Sequence, residues 1–192
     1  MPLKDLILHL RLHWQVLLMP LFWWGFLLAA GSRAPELLTV EFWIVLFIVH
    51  VMFYGGATAL NSYYDQDEGP VGGLWDPPQT THDLFVFAVG LQIAGLVILF
   101  FLNRPLFVLG LIMGAVGNAY SYPGIRLKAY PLTSLLAVSI FQGMGGTAAG
   151  WLFAAERWQS VFSSKAVLGM VAAALIITGF YPLTQIYQVE QD

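Results

Sequence analysis

The sequence has no cysteine and little charge, and each shortage narrows what it can be. Without cysteine there is no disulfide framework, although that alone does not identify a compartment. Charged side chains make up only 10% of the 192 residues, against roughly 25% in an ordinary soluble domain, which excludes a typical water-soluble globule. The 11 acids against 8 lysines and arginines leave a formal charge of −3, too small to point to a nucleic-acid partner. The low hydrophobicity that marks disorder is also missing. The chain is instead 58% hydrophobic and 15% aromatic, and its apolar residues come in long runs separated by short polar gaps.

Crossing a hydrocarbon layer takes about 20 residues at about 1.5 Å each. Six stretches qualify: roughly Leu12–Ala30, Val40–Leu60, Leu84–Leu102, Pro105–Tyr120, Pro131–Ala154 and Ala166–Gln188. The first is too long for a cleaved signal peptide and is retained as a span. The pattern predicts an all-α polytopic membrane protein, one transmembrane helical domain over residues 1–192 without internal repeat or linker. Asn103-Arg104-Pro105 reads as a tight hairpin that makes spans three and four antiparallel neighbours. Gly110, Gly114 and Gly117, then Gly143, Gly145, Gly146 and Gly150, read as close-packing faces.

Six consecutive crossings put the N-terminus, the segments after spans two and four, and the C-terminus on one side. That side receives Asp65, Asp67, Glu68, Asp76, Asp83, Glu190 and Asp192 with Arg126 and Lys128, while Glu36, Glu41 and Glu156 fall on the other. Basic residues are balanced, with Lys4, Arg11, Arg126 and Lys128 facing Arg33, Arg104, Arg157 and Lys165, so the charge rule leaves orientation open.

Three polar clusters carry candidate chemistry. At about 100° per residue, Asn61, Asp65 and Glu68 share one face of a helix that Gly69-Pro70 would stop, and His50, Tyr54 and Thr58 extend that stripe inward. Asp67 joins them if it swings round in the following loop. Oxygen ligands without cysteine suit a hard ion such as Mg2+; the alternative is a solvated acidic loop capping a helix. After span four, Arg126 offers a planar fork and Lys128 a point charge for phosphate oxygens, or else the pair anchors orientation. Span six ends in the stripe Tyr181, Gln185, Gln188 and Asp192, which must face protein or a cavity because lipid would leave its polar groups unpaired. Gln15 and Gln142 read as interhelical hydrogen-bonding residues. Acids, a basic pair and a polar stripe at the mouth of an apolar bundle suit a substrate with a diphosphate head and a long apolar tail, a prenyl diphosphate. The cation and the basic pair would stabilise charge on the leaving group.

Asn61-Ser-Tyr-Tyr-Asp65-Gln-Asp67-Glu68 resembles the first aspartate-rich motif of the intramembrane UbiA-type prenyltransferases. Tyr120-Ser-Tyr-Pro-Gly-Ile-Arg126-Leu-Lys128 resembles their segment after the fourth helix. The resemblance implies the first two-thirds of a nine-helix bundle, with the second aspartate motif beginning at Asp192 and the domain incomplete at its C-terminus. It also implies Mg2+-dependent transfer of a prenyl chain to a lipophilic, aromatic acceptor, with the active side cytoplasmic at a plasma (inner) membrane. Carried onto this sequence, Asn61 and Asp65 become catalytic, and Asp65, Asp67, Glu68 and Asp192 metal ligands. Tyr122, Arg126 and Lys128 hold diphosphate, while His50, Tyr54, Tyr181, Gln185 and Gln188 line the cavity. The family pattern reads N-D-x-x-D-x-x-x-D, and Ser62 and Gly69 depart from it, so the last acid is expected at Glu68 or Asp67. A non-catalytic membrane lipid-binding or assembly protein derived from such an enzyme is the competing expectation, and a transporter a third.

Overall fold

The computed structural model describes residues 1–66 and 69–185, the side chains of 183–185 excepted. Among the described residues the fold is helical: α1 (Leu3–Leu8), α2 (Leu12–Ala30), α3 (Val40–Asp65), α4 (His82–Leu102), α5 (Arg104–Ser121), α6 (Pro131–Ala155) and α7 (Ser164–Gln185). Five of the six long helices are long and apolar enough to cross a membrane; α5 is not among them, diluted by Arg104, Asn118 and its glycines. The α4–α5 hairpin nevertheless forms as its signal predicts. Asn103 caps α5 by accepting from the Leu106 amide at 3.0 Å, Pro105 sits in the first turn, and α5 returns antiparallel along α4, with Gly110 against Leu96 and Leu99.

Burial sorts the helices. The apolar windows of α3 and α6 are 72% and 67% buried, against 33%, 28% and 22% for those of α2, α4 and α7, so α3 and α6 form the interior and the others surround them. Outward-facing Leu17, Val40, Phe101, Leu168 and Leu175 are 65–80% exposed, a belt that water would penalise and a bilayer accepts. At one end of the core Phe42 receives Phe26 and Trp23, each at a ring-centroid distance of 4.7 Å.

Small residues set the tightest contact. A Cβ on Gly25 would lie 1.8 Å from the Thr147 carbonyl oxygen, and one on Gly150 would lie 1.9 Å from that of Phe22. The backbones of α2 and α6 therefore touch, which only glycine permits.

Three local features depart from the sequence reading. The second span was expected to stop at Gly69-Pro70, but α3 ends at Asp65, because Gln66 turns left-handed (φ 51°) and its amide closes on the Ser62 carbonyl at 3.0 Å. The helical phase that aligned Glu68 with Asn61 and Asp65 ends there. α3 and α6 also each contain a π-helical stretch, Ile48–Gly55 and Ser139–Met144. A π turn closes on i+5 and advances less than 100° per residue, so the stripe from His50 to Asp65 does not keep the spacing of an uninterrupted α-helix.

Gly150→Ala is expected to destabilise the protein by about 1–3 kcal/mol through overpacking, whereas Gly179→Ala, whose Cβ would meet nothing within 4 Å, should leave it unchanged or slightly more stable. Thermal unfolding of the two variants in one detergent checks the contrast.

Candidate functional site

The sidedness inferred from six crossings is visible in the contacts. The N-terminal segment, the segment between α3 and α4, the segment between α5 and α6, and Tyr181 on α7 all meet at one end of the bundle. There the last turn of α3 offers Asn61 and Asp65 one turn apart, and Asn61 Nδ2 donates to Asp65 Oδ2 at 3.0 Å. Asn61 Oδ1 in turn accepts from Ser121 Oγ, at the end of α5, at 2.8 Å and from Lys128 Nζ at 3.0 Å. Lys128 also pairs directly with Asp65 Oδ2.

Lys128 reaches this position because the chain after α5 doubles back. The Arg126 amide bonds the Tyr122 carbonyl at 2.7 Å, Arg126 itself is left-handed (φ 44°), and a 3-10 turn over Leu127–Ala129 follows. The side chains of Lys128 and Asp65 are only 14% and 20% exposed, so their charges compensate each other where water screens them poorly.

Among the described residues no group of three His, Asp or Glu side chains gathers as a metal cluster. Asp67, Glu68 and Asp192 lie outside the described residues, as does Gln188, and the side chain of Gln185 does too. Asp65 fits one part of a Mg2+ site: its Oδ2 carries both donors from described residues, which leaves Oδ1 as the oxygen turned to other use.

The structure divides the expected diphosphate set. Lys128 enters the network with Asn61 and Asp65; Arg126 is exposed. Tyr122 lines a cavity of about 290 Å³ with Leu60, Tyr64, Phe85 and Asn118. Tyr181 joins Tyr120 and Ser134 in a cluster of three hydroxyls, 2.9 Å from Tyr120 and 2.5 Å from Ser134, and Thr178 bonds Ser139 at 2.7 Å. Thr178 and Tyr181, the described part of that stripe, thus face α5 and α6. Gln15 donates to Thr58 Oγ1 across the interface between α2 and α3 at 3.4 Å.

His50 and Tyr54 stand apart from both described cavities. Expected to line the cavity, they are 0% and 2% exposed. His50 Nδ1 bonds the Leu46 carbonyl at 2.9 Å, and the Tyr54 hydroxyl shares its proton between the Phe141 and Gln142 carbonyls at 3.0 and 3.1 Å. Both sit in the π stretch of α3, which turns them into the interior, and neither lines the 290 Å³ cavity or a second, apolar one of about 180 Å³ around Met113, Trp158 and Phe162.

Sequence reasoning assigned no role to Ser121 or to the residues ahead of α2. His9 Nε2 meets the Pro78 carbonyl at 3.1 Å and Arg11 donates to Ser62 Oγ at 3.0 Å. Trp14 Nε1 and His13 Nε2 meet the Gly72 carbonyl at 2.8 and 3.2 Å. The legible signal was the Gly72-Gly73 pair, which favours a tight turn with both residues at positive φ.

A family model described as the UbiA prenyltransferase family matches residues 17–192. Searches of curated proteins and of solved structures find no match to the chain.

His9 supplies a pH test of this end of the molecule. Its Nε2 must donate to Pro78, so a second proton would go to Nδ1, which is buried without a partner. Burial, helped by nearby Arg11, holds its pKa below the ordinary 6.5, against the opposing effects of the Pro78 bond and Asp5. The unfolded chain therefore protonates first as pH falls through about 6.5, and the folded state loses stability below that point while gaining nothing above it. Unfolding temperatures at pH 7.5 and 5.5 should separate more for the wild type than for His9→Gln.

Proposed function

The chain belongs to the UbiA prenyltransferase family, and from that membership we propose that it transfers a prenyl chain from a prenyl diphosphate to a lipophilic, aromatic acceptor with Mg2+ as cofactor. The observation that carries this reading is the Asn61–Asp65–Ser121–Lys128 network, an acid and a base held together at one end of an apolar helical bundle. In the reaction the allylic C–O bond breaks, diphosphate leaves with the electron pair, and the acceptor's electrons form the new bond as it releases a proton. Mg2+ supplies the charge that makes diphosphate a good leaving group.

The residues divide the remaining work. Asp65 would hold the cation, with Asp67, Glu68 and Asp192 as its proposed companions, and Asn61 fixes the rotamer of Asp65. Lys128 compensates Asp65 before substrate arrives and gives the incoming diphosphate an ammonium within reach of the same site. Arg126, exposed at the surface of this end, takes an outer phosphate oxygen, and Tyr122 adds a neutral hydrogen bond. The helices make this an integral membrane protein; the proposed location is the plasma (inner) membrane, with the network on the cytoplasmic side.

Asp65→Asn is expected to lower Mg2+-dependent transfer of a labelled prenyl chain by about 10²-fold, the cost of removing one preorganised charge. Unchanged turnover would remove Asp65 from the metal site, and an unfolding curve taken alongside separates lost chemistry from lost fold. Arg126→Ala should weaken prenyl diphosphate binding about tenfold, in keeping with an exposed charged hydrogen bond, while a prenyl alcohol binds as before. Equal loss for both ligands would make Arg126 a structural anchor.

A further inference from the structure

The short helix ahead of the first span turns an apolar face away from the protein. At about 100° per residue Leu3, Lys4, Ile7 and Leu8 share one side of α1, while Asp5, Leu6 and its C-cap His9 share the other. The second side rests on the bundle. Leu6 packs against a cluster of Leu10 with Ala59 and Leu60 of α3 and Leu84 and Ala88 of α4, and His9 and Leu10 are buried. The first side is open, with Leu3, Ile7 and Leu8 at 65%, 41% and 37% exposure.

The level of α1 follows from its neighbours. α2 has 19 residues and α4 has 21, about 28 and 32 Å of helix against a hydrocarbon core of about 30 Å, so each starts at the boundary of that core. α1 joins the two starts. It passes into Leu12 through Arg11, which is left-handed at φ 47°, and Met1 lies against Asp83 in the first turn of α4. A helix that links two boundary points lies along the boundary. α3 runs further: a Cβ on Gly55 would meet Leu10 at 3.4 Å, and Asp65 stands about 15 Å beyond that point along the helix. The polar network of Asn61 and Asp65 is therefore on the water side of α1.

Three features fit this layer. The open face of α1 continues the lipid-facing belt on both sides, through exposed Leu12 and Val16 of α2 and Val86 of α4. Trp75, 87% exposed, belongs to a segment tied beside the same stretch at both ends, by His13 and Trp14 at Gly72 and by His9 at Pro78; an indole presented in this way is favoured at the level of lipid headgroups. Lys4 is exposed on the open face, where its stem can lie along apolar surface while its ammonium reaches the phosphate layer.

We propose that α1 and Trp75 form an interfacial anchor, with Leu3, Ile7 and Leu8 immersed in the acyl-chain boundary of the leaflet on the side of the Asn61–Asp65 network. Bilayer lipid is the occupant of that face. The anchor depends on the membrane-spanning architecture alone and stands whether or not the chain transfers a prenyl group. It sets the depth at which Asn61 and Asp65 stand relative to the headgroups of one leaflet.

The absence of cysteine lets a nitroxide be placed at one position at a time. Leu3→Cys, Ile7→Cys and Leu8→Cys are labelled in the full chain, reconstituted in phosphatidylcholine vesicles, and compared with Leu17→Cys in the lipid-facing belt and Asp76→Cys in the exposed polar segment. Paramagnetic resonance reads the depth of each label from its collisions with oxygen, which concentrates in hydrocarbon, against those with a nickel chelate, which stays in water. The α1 labels should lie about 5–10 Å inside the headgroup boundary, with Leu17 deeper and Asp76 in water. Labels on α1 that meet nickel as freely as the one at Asp76 overturn the anchor. Labels that exclude both oxygen and nickel and broaden one another between molecules also overturn it, because a second copy of the chain then covers the face. Trp75→Phe gives a readout that leaves α1 untouched: the emission it removes from the wild-type spectrum should be blue-shifted from that of indole in water and quenched by phosphatidylcholine brominated near the glycerol. Unshifted, unquenched emission overturns the place of Trp75 in the anchor.

Discussion

The contact between Gly25 and the Thr147 carbonyl, with its counterpart between Gly150 and the Phe22 carbonyl, fixes the distance between α2 and α6 at backbone-to-backbone approach. Lipid offers helices little hydrophobic incentive to associate, so association depends on surfaces that fit closely enough to gain dispersion and to bury polar backbone against backbone. Here the fit joins the first long helix to one of the two interior helices. What rides on α2, including the residues at its start that meet Ser62 and the Gly72 turn, is therefore referred to α6, and α6 carries Ser134 and Ser139, the partners of Tyr181 and Thr178 on α7. A single apolar crossing thus stands behind polar contacts at the far end of the same helices.

The polar residues are arranged by the cost of leaving them unpaired. Asp65 would be expensive near hydrocarbon as a lone carboxylate, and it is met by an ammonium from the segment after α5 and an amide one turn earlier in α3. The hydroxyls of Tyr120, Ser134 and Tyr181 satisfy one another in the same way. The result is a pair of polar networks, in one of which the charges of Asp65 and Lys128 offset each other, in place of a bare charge and unpaired hydroxyls.

The fold was legible because hydrophobic runs and hairpin signals act locally. Asn103-Arg104-Pro105 specifies its turn through a cap and a proline without help from the rest of the chain, and the sharing of one membrane side follows from counting crossings. The site was legible in composition but not in contact. Asn61 and Asp65 are neighbours by helical spacing alone, whereas the approach of Lys128 to Asp65 depends on the left-handed turn at Arg126, a conformation arginine does not announce. Helical phase failed at two places for physical reasons. Gln66 ended α3 before the Gly-Pro pair could, and the π turn around His50 and Tyr54 shifted residues that 100° spacing had placed with the acids. Arg11 escaped notice because its partner, Ser62, lies fifty-one positions away, with nothing in either neighbourhood to link them.

The π turns have a consequence for how this sequence can change. Each holds one residue more than an α-helix of the same rise would need, and in α3 that surplus lies between the aromatic packing around Phe42 and the pair Asn61 and Asp65. Loss of a single residue within 48–55 would remove that surplus and let the helix relax to ordinary pitch, with Phe42 on one side and Asn61 and Asp65 on the other still near their present phase. The cost would fall inside the stretch, where the Tyr54 hydroxyl would leave the two carbonyls it now serves on α6. The same deletion in the α-helical turns on either side would instead rotate Asn61 away from Ser121 by about 100°, so the π stretch is where this helix can absorb a change of length.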